Sequence, residues 1–153
     1  MLSSPPSRPR RQAAPGSGVG KAKKFLDYVC TMYYIVHMRF GDYTRTVRER
    51  LKRGDASFSV RQVARRVGVE PAYLSKVERN HVAPPSETKI CRLAAELGED
   101  RDFMLALGGK IATDLQQIIR LRPQLFASLL RHLGEAPEEV VLEVERQVRE
   151  SGK

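Results

Sequence analysis

The stretch Phe58–Asn80, FSVRQVARRVGVEPAYLSKVERN, decides how the rest of the chain is read. It predicts two short helices joined by a tight turn. Ser59 is placed to cap the first helix, and Gln62 stands at the matching position of an S-x-x-Q capping box. Val60, Val63, Ala64 and Val67 recur at helical spacing and give that helix one apolar face. Gly68 stops it, because glycine takes the positive φ that a helix C-terminus favours. Val69 plugs the turn. Glu70 falls at the N-cap of the second helix and Pro71 in its first turn, where a missing N–H costs nothing. Leu74 and Val77 point inward, while Ala72, Ser75, Lys76 and Arg79 point outward. A small residue at Ala64 and a tight turn at Gly68 let the second helix cross the first closely.

Two helices so arranged describe a helix-turn-helix, whose second helix enters the DNA major groove. The residues resemble the Xre class of helix-turn-helix regulators, that of phage Cro and lambda-type repressors. The matching pieces begin with Phe40-Gly41-Asp42-Tyr43 and Arg48, then Phe58-Ser59-x-Arg61, Val63-Ala64 and Gly68-Val69. They continue with Tyr73-Leu74-Ser75-Lys76-Val77-Glu78-Arg79, Pro84-Pro85-Ser86, Leu93-Ala94 and Leu97-Gly98. The resemblance covers roughly 38–107 and implies an all-α, five-helix, lambda-repressor-like domain. Two features depart from it. Asn80 stands where the family usually has Gly, and the link Arg53-Gly54-Asp55-Ala56-Ser57 is longer than usual. Asn also tolerates the left-handed conformation.

The resemblance places Pro71, Ala72, Ser75 and Lys76 on the groove-facing side of a recognition helix at about 71–79. Lys76 then donates to guanine O6 and N7, Ser75 bonds a base edge or phosphate, and Ala72 meets a thymine methyl. Pro71 offers no donor and acts by shape. Tyr73 and Arg79 are placed for phosphates, as are Ser59, Arg61 and Gln62 at the start of the preceding helix, whose free N–H groups suit an anion. Asn80, His81 and Ser86 are secondary phosphate candidates. Any exposed polar residue on a helix is ordinarily just solvated, so each assignment competes with that reading. Arg48 lies where this family often pairs an Arg with the recognition-helix Glu, here Glu78. The structural pair Arg48–Glu78 is therefore expected, with a solvated Arg48 as the alternative.

Composition agrees with a polyanion partner. The chain has 153 residues and a formal charge of +9. Residues 38–98 carry thirteen Lys/Arg against seven Asp/Glu, whereas residues 99–153 carry eight against ten. The basic surplus thus sits on the motif region and the tail before it. His37, His81 and His132 are scattered, with no partnered nucleophile or metal spacing, and no Gly-rich phosphate loop occurs. An enzyme is not expected, and neither catalytic residues, a metal nor a cofactor is implied. Cys30 and Cys91 are far apart; Cys91 is expected as a buried small hydrophobe, and the pattern fits a reducing bacterial cytoplasm.

Residues 1–24 are rich in Pro, Ser, Gly, Ala and Arg and read as disordered. The apolar run from Phe25 to Met38 is too short to span a membrane and lacks a cleavage site. Residues 1–37 are therefore read as a disordered basic tail or an extension from a misassigned start codon. Residues 38–109 form the DNA-binding domain. Its first helix is expected over Phe40–Lys52, its fourth from Ser86 to about Leu97, and its fifth from Asp100 or Arg101 to Leu107. Residues 110–153 are a helical extension. A capping box at Thr113-Asp114-Leu115-Gln116 opens one helix, Arg122-Pro123 breaks it, Gly134 ends the next, and Pro137 opens the last. Leu125, Phe126, Leu129, Leu130, Leu133, Val140, Val141 and Val144 make this extension apolar enough to pair two chains. The alternative is that its helices complete one monomeric core. The whole reads as a sequence-specific regulator of double-stranded DNA, a repressor acting as a homodimer. A protein-interaction module of the same fold, such as an antitoxin or adaptor, is the alternative.

Overall fold

The computed structural model describes residues 37–152. The expectations for residues 1–36 lie outside them. The described residues form eight α-helices and one short 3-10 turn, with no strand among them. The chain divides into two compact units between Lys110 and Ile111.

The first unit contains α1 (Phe40–Lys52), a 3-10 turn (Ala56–Phe58), α2 (Val60–Val67), α3 (Pro71–Glu78), α4 (Glu87–Leu97) and α5 (Arg101–Leu107). Helical spacing of apolar residues builds one core. Phe40, Tyr43 and Val47 enter from α1, and Val63, Ala64 and Val67 from α2. Leu74 and Val77 enter from α3, and Ile90, Leu93, Ala94 and Leu97 from α4. Phe103, Met104 and Leu105 close it from α5, where Phe103 meets Tyr43 edge-on at 5.1 Å between ring centroids. Leu51 and Val60, expected on the same faces, stay half-exposed at the ends of their stripes. Cys91 is also half-buried, because it lies one position outside the Ile90–Ala94 stripe; the expectation of full burial does not hold.

Helix ends follow the local chemistry. The Ser59 side chain accepts from the Gln62 N–H at 3.4 Å, and Asp100 accepts from the Phe103 N–H at 2.8 Å. Gln62 makes no return bond, so only half of a capping box forms. The long link after α1 is not loose. Asp55 caps the 3-10 turn by accepting from the Ser57 N–H at 2.8 Å, and that bond holds its carboxyl below the usual range. Arg66 anchors the link further, donating to the Ser57 carbonyl and lying 5.5 Å over the Phe58 ring.

The close crossing of α1 over α3 rests on Gly41. A Cβ there would stand 2.1 Å from the Val77 carbonyl oxygen. The Gly41 N–H donates to Asn80 Oδ1 at 3.1 Å, and Asn80 Nδ2 donates to Asp42 at 2.8 Å. Asn80 takes the left-handed conformation at φ 55°. It therefore supplies both the turn that Gly would allow and a clasp on α1 that Gly could not.

The second unit contains α6 (Thr113–Leu121), α7 (Pro123–Glu135) and α8 (Glu138–Ser151). Two boundary expectations change. Thr113 is the first helical residue and Ala112 the N-cap, with no side-chain cap bond; Gln116 donates instead to the Ile111 carbonyl at 2.7 Å. Gly134 lies inside α7, which continues to Glu135 before Ala136 turns extended. The α6–α7 break falls at Arg122-Pro123, as the restriction on the residue before proline requires. None of the three helices contains a buried residue.

Candidate nucleic-acid interface

The site is built from α2, the turn and α3. Gly68 ends α2 at φ 77°, and the Val69 N–H reaches back to the Ala64 carbonyl at 2.9 Å. That is the hydrogen bond of a Schellman close, which turns the chain within one residue. Lys89 of α4 locks the turn from outside, its Nζ lying 2.6 Å from the Gly68 carbonyl. Glu70 then stands at the N-cap of α3 and Pro71 opens that helix.

Leu74 and Val77 bury one side of α3, which leaves Ala72, Lys76 and Arg79 exposed on the other. Ser75 and Tyr73 are half-buried at its margins. Arg79 is exposed, its Nε donating to the Ser75 carbonyl at 3.1 Å. At the start of α3 an open concavity of about 780 Å³ brings Arg61, Gln62 and Arg65 of α2 beside Glu70 and Pro71. Ser59 lies one turn upstream, its hydroxyl acting as the cap while retaining a proton to donate.

α3 is held in orientation from behind. Arg48 Nε lies 2.6 Å from one Glu78 oxygen and Arg48 Nη2 lies 2.8 Å from the other. The Arg48 and Glu78 side chains are 5% and 4% exposed, so this is a buried, two-pronged pair. Arg48 Nη1 also donates to the Phe58 carbonyl at 3.3 Å, tying α1, the link and α3 together. Glu78 is thus occupied inside the domain and faces no ligand.

Among the described residues, the domain's cations divide into those with a carboxylate partner and those without, the latter including Arg53, Lys89 and Arg92 outside α2 and α3. Arg39, Arg45, Arg48, Arg50 and Arg66 are all neutralised by carboxylates within the domain. Arg61, Arg65, Lys76 and Arg79 have no carboxylate partner among the described residues, and all four belong to α2, α3 or the α3 cap. An uncompensated cationic face on a helix pair is suited to a polyanion.

Residues 39–107 match the family model of a helix-turn-helix domain. Neither the curated proteins nor the solved structures give a match. Helix-turn-helix domains are DNA-binding units of transcription regulators. Families of this kind are typically without catalytic activity, and no group of metal-ligating side chains occurs among the described residues. No helix of the described residues is long and apolar enough to cross a membrane.

Of the residues expected at the interface, Arg61, Gln62 and Pro71 share the concavity, while Ala72, Ser75, Lys76 and Arg79 line the outer side of α3. Asn80 does not belong with them, because both ends of its amide are taken up by α1. His81 and Ser86 are exposed beyond the end of α3. Sequence reasoning missed Arg65. Its signal was present, since it stands four residues after Arg61 and so shares a helix face with it.

Proposed function

We propose that this protein is a sequence-specific, double-stranded DNA-binding regulator of the Xre class, acting in the cytoplasm as a repressor. The observation that carries the reading is the placement of unpaired cations. Within the helix-turn-helix domain Arg39, Arg45, Arg48 and Arg50 at α1 are paired with carboxylates, whereas Arg61, Arg65, Lys76 and Arg79, gathered on α2 and α3, are not. In this reading the first unit is a lambda-repressor-like five-helix domain. Arg61, Gln62, Ser59, Tyr73 and Arg79 hold phosphates, and Lys76, Ser75, Ala72 and Pro71 face the bases. Repression follows if the bound sites overlap promoters.

The protein works as a homodimer that reads two half-sites about one helical turn apart, roughly 34–36 Å. The support is the second unit. All ten large hydrophobic residues that are exposed among the described residues fall in it, from Ile111 to Val148. Apolar side chains gathered on one unit in this number suit an interface. The same observation favours, as a second reading, an antitoxin or adaptor that holds a different protein through this unit.

Selection of bound sites from a random duplex pool, followed by mobility shifts, separates the readings. The regulator enriches a two-fold symmetric sequence and binds it far more tightly than unrelated DNA. A pool that stays random, with only weak and salt-sensitive binding, refutes sequence-specific recognition.

A further inference from the structure

Glu70 is out of place on the surface just described. It is exposed at the first turn of α3, in the same concavity as Arg61 and Arg65. It occupies the N-cap yet makes no side-chain cap bond. Among the described residues it has neither an ion pair nor a side-chain hydrogen bond. A lone carboxylate on a face presented to phosphates weakens association with any DNA. A bound state that gives it a donor offsets that cost.

The major groove offers few donors to an acceptor-only group. Base edges present N4–H₂ of cytosine and N6–H₂ of adenine; the other polar edge atoms accept. The adenine amino group sits beside its own N7 acceptor, which repels a carboxylate, whereas cytosine N4 has no acceptor neighbour on its own base. The residues at the N-terminus of a recognition helix are the ones that reach base edges. We propose that Glu70 is a specificity-determining residue that accepts a hydrogen bond from the N4 amino group of one cytosine in each half-site. This rests on the DNA-binding reading of α3. Opposite guanine or thymine the carboxylate meets O6, N7 or O4 and stays buried without a donor, so discrimination comes mainly from rejecting the wrong bases. Arg61 and Arg65 beside it supply sequence-independent attraction that offsets its repulsion from the phosphates.

The test is site selection from a random duplex pool with the full chain and with E70Q and E70A. Wild type should fix a cytosine at one position per half-site, and replacing it should weaken binding roughly ten- to a hundred-fold, the usual range for one base contact. E70Q should move that position toward adenine, because a glutamine amide pairs with adenine N6 and N7. E70A should lose preference there while gaining affinity for unrelated DNA. Circular dichroism serves as the folding control, and the exposed, unbonded side chain leaves both variants folded. A Glu70 that serves only the α3 helix dipole would shift the melting temperature and leave every base preference intact, which overturns the proposal. Identical consensus sequences for all three proteins overturn it too, while leaving sequence-specific binding in place. A wild-type pool without any consensus overturns both.

Discussion

In the proposed reading, single side chains on α2 and α3 have separable roles, and their burial sorts them. Lys76 is exposed on the outer side of α3 with no carboxylate partner. As a base reader, Lys76→Ala should cost about 1–3 kcal/mol on the selected site and relax preference at one position. Arg61→Ala and Arg65→Ala should instead weaken all sequences alike and lower the salt slope by about one each. Titrations over base-substituted duplexes at several salt concentrations decide this. Uniform losses for Lys76→Ala would remove it from base readout. The buried pair obeys different physics. Arg48 and Glu78 satisfy each other inside the domain, so deleting either leaves an uncompensated charge. Glu78→Ala and Arg48→Ala should each destabilise by about 3–5 kcal/mol, and the double mutant by less than their sum. Denaturant melts of the three variants check this; small additive effects would show that the pair contributes little.

Between elements, the contact that sets the site is α1 against α3. Gly41 lets the two backbones meet, and Asn80 fastens them through a main-chain N–H and Asp42. A methyl at position 41 would run into the Val77 carbonyl, which is backbone and cannot swing aside. Gly41→Ala should therefore destabilise by about 1–3 kcal/mol, the scale of overpacking a tight contact. It should also lower sequence-specific affinity beyond what the lost stability explains, because α3 is pushed off its seat. Comparing binding well below the melting temperature with the unfolding curve separates the two effects. Unchanged stability would mean that α1 slides without resistance.

Across the whole molecule the two units contrast. The first buries its apolar stripes in a core of its own, from Phe40 to Leu105. The second has three helices without one buried residue and holds every exposed large hydrophobic of the described residues. Along α8, Arg146 bridges Glu143 and Glu150, and Arg149 pairs with Glu145. The exposed apolar side chains are the feature proposed for pairing. Sedimentation of the full chain should give a dimer at micromolar concentration, and a chain ending at Lys110 should run as a monomer. A monomeric full chain, or a truncated chain that dimerises equally, would exclude the second unit as the dimer interface.

The path from Ser59 to Glu78 was legible because each local rule agreed with the next. Ser59 capped, Gly68 stopped, Pro71 started, and Val63, Ala64, Val67, Leu74 and Val77 shared the inward spacing that the core then used. These signals act over three or four residues, so a linear reading carries them. The ends of the C-terminal helices were less legible. Thr113 and Gly134 each have residue types that mark boundaries, yet the backbone ran one position past the first expectation and through the second. What only tertiary structure decided are relations between residues thirty or forty positions apart. The need for glycine at position 41 comes from the Val77 carbonyl, and the withdrawal of Asn80 from the DNA-facing set comes from α1. Which arginines stay uncompensated is of the same kind. Arg66 and Arg65 are neighbours in sequence, but Glu96 of α4 reaches only Arg66, leaving Arg65 turned outward beside Arg61. Composition counts charges, whereas packing chooses which of them face water and a partner.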